Sequence, residues 1–133
     1  MQPRVLSSMA AIGILLGACS DSANLIGPSN QLQVTNATDD FQFQVTNLAN
    51  VRQTLRYTWA ITGDSANVNQ ASAITGGTAT VTVRDQGGVV VYQANLTSNG
   101  TFHTSKATPG AWQIEVKLSN VDGTVNFRVQ KAP

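Results

Sequence analysis

From Gln31 onward the apolar residues of this chain recur at every second position, and helical spacing is hard to find. Phe41, Phe43 and Val45 alternate with Gln42, Gln44 and Thr46; Leu55, Tyr57, Trp59 and Ile61 alternate with Arg56, Thr58 and Ala60. The same period governs Val81 and Val83, then Trp112, Ile114, Val116 and Leu118, and finally Val125, Phe127 and Val129. In an extended chain successive side chains point to opposite faces, so each of these segments has one apolar and one polar face. Strands of that kind belong to antiparallel sheets that cover a core on one side. The parity also places Trp59 and Trp112 in that core, away from solvent.

Turn chemistry separates the runs. Asp85-Gln86-Gly87-Gly88 and Asn120-Val121-Asp122-Gly123 each stand between two alternating segments, and Asn99-Gly100 and Pro109-Gly110 supply two more reversals. The pattern predicts about eight strands, over 31–36, 39–48, 53–62, 78–85, 88–96, 100–105, 111–119 and 123–131. Strands at this spacing, with polar turns, predict an all-β fold: an antiparallel two-sheet sandwich of jelly-roll or immunoglobulin-like type. Val89-Val90-Val91-Tyr92 does not alternate, as a strand covered on both faces or an exposed edge would not, and the interior strand is the favoured reading. The stretch 63–77 is the longest without clear alternation and reads as a loop, with room for a short strand at Ala73-Ile74-Thr75; loops this long are often functional.

Cys19 is the only cysteine among 133 residues, so no disulfide within the chain is available and the fold must rest on its hydrophobic core. Ahead of it lie Arg4, an apolar run from Val5 to Leu16 and the small residues Gly17 and Ala18, the anatomy of a secretory signal. That run is shorter than the roughly 20 apolar residues a membrane-spanning helix needs. Leu16-Gly17-Ala18-Cys19 resembles the lipobox of bacterial lipoproteins, in which the cysteine carries a thioether-linked diacylglycerol after cleavage before it. The resemblance implies a signal peptide at 1–18, a lipidated N-terminus and flexible tether at 19–30, and a β-sandwich domain at 31–133. It also implies a bacterial cell-envelope location, at the outer membrane if the cell is Gram-negative, with the membrane as partner through lipid on Cys19. As a coil, the eleven residues from Ser20 to Asn30 reach roughly 18 Å. Losing eighteen of 133 residues leaves 115, the size of one domain.

Three further stretches, Val81-Thr82-Val83-Arg84-Asp85-Gln86-Gly87, Pro109-Gly110-Ala111-Trp112-Gln113-Ile114-Glu115-Val116 and Gly123-Thr124-Val125-Asn126-Phe127-Arg128-Val129, resemble in order and spacing the bacterial pre-peptidase C-terminal domain. That family is a small jelly-roll-like sandwich often appended to secreted proteases, and the resemblance covers about 39–131. It departs from the family at Gly76-Gly77-Thr78, where an acidic pair often stands, and at Phe127, where a tyrosine is usual. No protease domain precedes it here, so only the fold is implied.

Candidate chemistry is sparse. Eight Lys plus Arg stand against seven Asp plus Glu, and loss of Arg4 with the signal makes the balance even, which argues against a nucleic-acid or polyanion partner. His103 is the sole histidine, there is no G-x-S-x-G elbow, and Phe102-His103-Thr104 reads as a strand with the imidazole in solvent. Asp39, Asp40, Asp64, Asp85 and Asp122 read as turn formers rather than calcium ligands. Arg52, Arg56, Arg84 and Arg128 occupy polar faces and read as ordinary solvated surface charges, although a cluster of them would hold a carboxylate or phosphate. No catalytic set, metal or cofactor is implied. The expectation is a lipid-anchored, non-enzymatic binding or structural accessory at the envelope, with an envelope protein or a glycan as possible partner. The alternative is a carbohydrate-binding module acting through the 63–77 loop, with Asp64, Asn67, Asn69 and Gln70 as its ligand residues; an envelope protease inhibitor ranks below both.

Overall fold

The computed structural model describes residues 24–133. The signal segment, Leu16, Gly17, Ala18, Cys19 and the start of the tether lie outside the described residues. Within them the fold is all-β: β1 (Gln33–Ala37), β2 (Asp40–Ile61), β3 (Ala66–Gln70), β4 (Ala73–Arg84), β5 (Val90–Asn95), β6 (Gly100–His103) and β7 (Gly110–Lys131). All pairings between these strands are antiparallel, in one seven-stranded sheet ordered β1-β2-β7-β3-β6, with β4 on β7 and β5 on β4.

Two long strands make that sheet a sandwich. β2 and β7 are 22 residues each and pair along nearly their whole length, from Asp40 with Gln130 to Ile61 with Gly110. Midway, both bend. One layer holds β1, residues 40–45 of β2, residues 125–131 of β7, β3 and β6; the other holds residues 53–61 of β2, residues 110–118 of β7, residues 78–84 of β4, and β5. The apolar faces meet inside: Phe41 and Phe43 of the first layer lie 5.3 and 6.1 Å from Tyr57 of the second, ring centre to ring centre.

The bend is written in asparagines. Asn47, Asn50 and Asn120 have φ of 53°, 54° and 54°, the left-handed region that Asn enters more readily than other non-glycine residues. Each inserts an extra residue into the strand, and the inward positions step by three across it: Val45, Leu48, Val51 on β2, and Leu118, Val121 on β7, all buried. A single inserted residue would otherwise turn the rest of the strand inside out; the bulge restores the inward face while kinking the backbone. The two strands bend together, with Asn120 Nδ2 donating to Asn50 Oδ1 at 2.9 Å and Asn50 N–H to Asp122 Oδ1 at 2.8 Å. Gly77 of β4 sits against this point with φ of 74°, where a Cβ would overlap the carbonyl of Asn120.

This geometry corrects four sequence expectations. The predicted strands 39–48 and 53–62 are one strand, as are 111–119 and 123–131, because Asn120-Val121-Asp122-Gly123 forms a paired bulge instead of a turn. The stretch 63–77 is not a long loop: it contains β3 and the start of β4, and Ala66, Val68 and Gln70 point inward. Val89 to Tyr92 is not interior; β5 pairs only with β4, and Val89 and Val90 are 62% and 43% exposed. Finally, part of the predicted tether is docked. Asn24 bridges to Val51, its carbonyl accepts from Arg52 N–H at 3.0 Å, and Ile26 N–H donates to Gln53 Oε1. A short 3-10 turn at Pro28–Asn30 follows, and the buried Asn30 donates to the carbonyls of Thr46 and Asn47 at 3.0 and 2.8 Å.

The tryptophans are where parity predicts. Trp59 and Trp112 are fully buried and pack edge to face at 6.2 Å. Their indole N–H groups donate to Ala37 O at 2.9 Å and Thr108 O at 2.8 Å, so neither polar tip is left without a partner. The sandwich therefore has two unlike ends. At one lie the bend and the docked residues 24–30; at the other lie the connections 38–39, 62–65, 85–89 and 104–109.

Candidate functional site

The four residues predicted as a ligand loop do not converge. Asp64 is exposed in the β2–β3 connection, where its carbonyl accepts from Ala107 N–H at 2.7 Å. Asn67 and Asn69 alternate outward on β3, while Gln70 turns inward and is buried. Gln70 is an internal tie: its amide donates to the carbonyls of Asn95 and Ser98, and its Oε1 accepts from the Tyr92 hydroxyl at 2.6 Å. Burial, which disfavours the phenolate, raises the Tyr92 pKa above that of an ordinary tyrosine.

Asn67 and Asn69 do share a surface. The register sets His103 and Gln130 either side of Asn67, and Thr101 and Arg128 either side of Asn69. Adjacent side chains pair across the strands: the Thr101 hydroxyl donates to Asn69 Oδ1 at 2.7 Å, and His103 Nδ1 lies 2.6 Å from Asn67 Oδ1. Beyond β7, Arg128 holds Asp40 through Nε at 3.0 Å and Nη2 at 3.1 Å. The outer face of the first layer is thus a flat field of amides and hydroxyls with one two-pronged ion pair. His103 is exposed there, as the sequence predicts.

The carboxylates serve the architecture. Asp39, at φ of 66°, accepts from Thr62 N–H and from the Thr62 hydroxyl, both at 2.7 Å, with Lys131 Nζ at 3.7 Å. These donors, the Thr62 backbone first, hold its pKa below the usual carboxylate value. The Arg128 guanidinium does the same for Asp40. Asp85 Oδ1 caps the N–H groups of Gly87 and Val89, each at 2.9 Å, and Asp122 caps Asn50. Among the described residues no three His, Cys, Asp or Glu side chains gather to hold a metal ion, and the surface has no concave pocket.

The four arginines are divided between layers. Arg128 belongs to the first. Arg56 and Arg84 lie on the outer face of the second, opposite Glu115 and Gln113 of β7, and Arg52 continues the outward row of β2 toward the bend. Arg56 Nε meets Glu115 Oε2 at 2.9 Å. The sequence reading overlooked Lys117, which sits on this same face between Thr54 and Thr80. The signal was available: Lys117 occupies an outward position of the segment whose inward residues are Trp112, Ile114, Val116 and Leu118.

With Trp59 and Trp112 buried, neither offers a stacking surface to a sugar ring. No helix among the described residues is long and apolar enough to cross a membrane. No protein-family model matches the chain, and a search of curated proteins returns no match.

Proposed function

We propose that the chain is a lipid-anchored cell-envelope protein whose β-sandwich acts as a non-enzymatic binding or structural accessory module. The observation that carries this reading is the Leu16-Gly17-Ala18-Cys19 run, which ends only five residues before Asn24, the first of the described residues and one docked on the sandwich. Acylation of Cys19 would provide the anchor, and two or more chains make anchoring stable where one is marginal. The accessory role is supported by how the ionisable groups are employed: Asp39, Asp40, Asp85 and Asp122 are engaged in capping and pairing within the fold. The resemblance to the pre-peptidase C-terminal domain, itself an appended sandwich, is in keeping with it.

Cells given labelled palmitate are expected to label the protein, and Cys19→Ala is expected to lose both the label and membrane retention. A Cys19→Ala variant that still takes up label and stays in the membrane fraction refutes the anchor.

A further inference from the structure

The near-even charge balance of the chain, eight basic against seven acidic residues, hides a segregation. The outer face of the second layer carries Arg52, Arg56, Arg84 and Lys117 against the single anion Glu115, a net of three positive charges. Glu115 is centred among them, opposite Arg56, with Lys117 two residues along its own strand and Arg84 diagonal to it across β4. Asp122 at the bend and Asp85 in the 85–89 turn stand at the two rims, their carboxylates accepting from the Asn50 and Val89 N–H groups, while Arg128, Lys106 and Lys131 lie off this row with Asp39, Asp40 and Asp64.

The same face gathers exposed apolar side chains at its rims. Val90 pairs with the outward Arg84 and is 43% exposed, with Val89 beside it in the turn at 62%. At the bend, Asn24 bridges in parallel to Val51 and its carbonyl accepts from Arg52 N–H, and the next residue, Leu25, is 63% exposed while Ile26 packs on the core. Cations flanked by exposed aliphatic side chains are the composition of a surface that meets lipid headgroups.

The chain length fixes what lies within reach. Whatever path residues 20–23 take, the five steps from Cys19 to Asn24 span at most about 18 Å. We propose that the outer face of the second layer, from Leu25 and Arg52 at the bend to Arg84 and Val90 at the far rim, is the surface by which the domain lies on an anionic lipid headgroup layer. The proposal rests on the reading of Cys19 as the anchor. A tether this short holds the face at an effective concentration of the order of millimolar or above. Contacts too weak to recruit a free domain are then enough to orient a tethered one.

The chain has three lysines, which supply the test. The protein is coupled through the thiol of Cys19 to a maleimide headgroup lipid, in vesicles either containing phosphatidylglycerol or made of phosphatidylcholine alone. Its lysines are then acylated with an amine-reactive ester and read by mass spectrometry. Each cation brought to an anionic surface shifts the docked population by about fivefold, so Lys117 is expected to react at least about fivefold more slowly on the anionic vesicles. Molar salt should restore its rate, and Lys131, at the end of β7 in the first layer, should react alike on both. Replacing Arg52 and Arg84 by Gln should lift the protection of Lys117 while the circular dichroism spectrum stays unchanged. Equal rates for Lys117 on the two vesicles, or equal protection of all three lysines, overturn the proposal. Because the coupling is chemical, the outcome is independent of whether cells acylate Cys19, which the palmitate experiment decides alone.

Discussion

Gly77→Ala tests the bend more directly than any core substitution. Gly77 has φ of 74°, and its missing Cβ is what lets the carbonyl of Asn120 approach. An alanine there meets two penalties. Holding a non-glycine residue in the left-handed region costs about 1–2 kcal/mol. The overlap falls on β7 backbone rather than on a flexible side chain, so β4 and β7 must separate where Gly76 pairs with Asp122 and Thr78 with Ser119. Loosening two backbone hydrogen bonds adds about 0.5–1.5 kcal/mol each. Together these give roughly 2–5 kcal/mol, a large share of the roughly 5–15 kcal/mol typical of a domain. In urea, with a slope of about 1.5 kcal/mol/M, the midpoint should fall by roughly 1–3 M. Two controls divide the effect. Gly88 has φ of 87°, and a Cβ added there would meet nothing within 4 Å, so Gly88→Ala should show the conformational penalty alone, about 1–2 kcal/mol. Gly27, at φ of −130° and equally open, should be within about 0.5 kcal/mol of the parent on substitution by Ala. If Gly77→Ala is no more destabilising than Gly88→Ala, the close approach of β4 to the β7 bulge is wrong.

Other outcomes follow from the core and the ion pairs. Trp112→Ala should cost about 3–5 kcal/mol, because a fully buried indole packed on Trp59 is removed; an unchanged melting temperature would show that its face is solvent. Asp39 and Asp40 both titrate below their ordinary value in the fold. A depressed folded pKa gives stability that is present above the unfolded value near 4 and is lost as pH falls through the folded one. Unfolding midpoints measured from pH 6 down should therefore drop below about pH 4, and Asp40→Asn, which takes one of the two groups out of the titration, should shallow that drop; an unaltered slope would refute the assignment to Asp40.

The residues explain which parts of this fold were readable in the sequence. Alternation found the core because Phe41, Phe43, Val45, Trp59, Ile61, Trp112, Ile114, Val116 and Leu118 are large and regularly spaced, and all are buried. It failed at β3, whose inward residues are Ala66, Val68 and Gln70, so that one large aliphatic side chain had to signal a whole strand. It failed at 120–123 for a different reason. Asn-x-Asp-Gly carries turn chemistry in isolation, and only the partner strand, bulged at Asn47 and Asn50, makes it continue as β7. The phase held a clue: inward residues three apart with Asn between them, as in Val45-Thr46-Asn47-Leu48 and Leu118-Ser119-Asn120-Val121, mark a bulge rather than a break. Val89 to Tyr92 misled because hydrophobicity reports a preference for burial, and β5 has a neighbour on one side only. The basic face was out of reach for a topological reason: Arg56, Arg84 and Lys117 come from three strands, and only register brings them together.

The bend that joins the layers also governs the order in which the molecule can assemble. Before β7 exists, β1 can pair with β2, β4 with β5, and β3 with β6, but no strand pairing joins these three pairs to one another. β7 contacts β2, β4 and β3, and through them unites every other strand of the sheet. It is the last of the seven in the chain, so the contacts that commit the fold span most of its length, the condition under which folding is slow. A chain still being made, or threaded through a membrane from its N-terminus, would stay in pieces until residues 110–131 were free. Closing the sandwich is then a single late event rather than a gradual one.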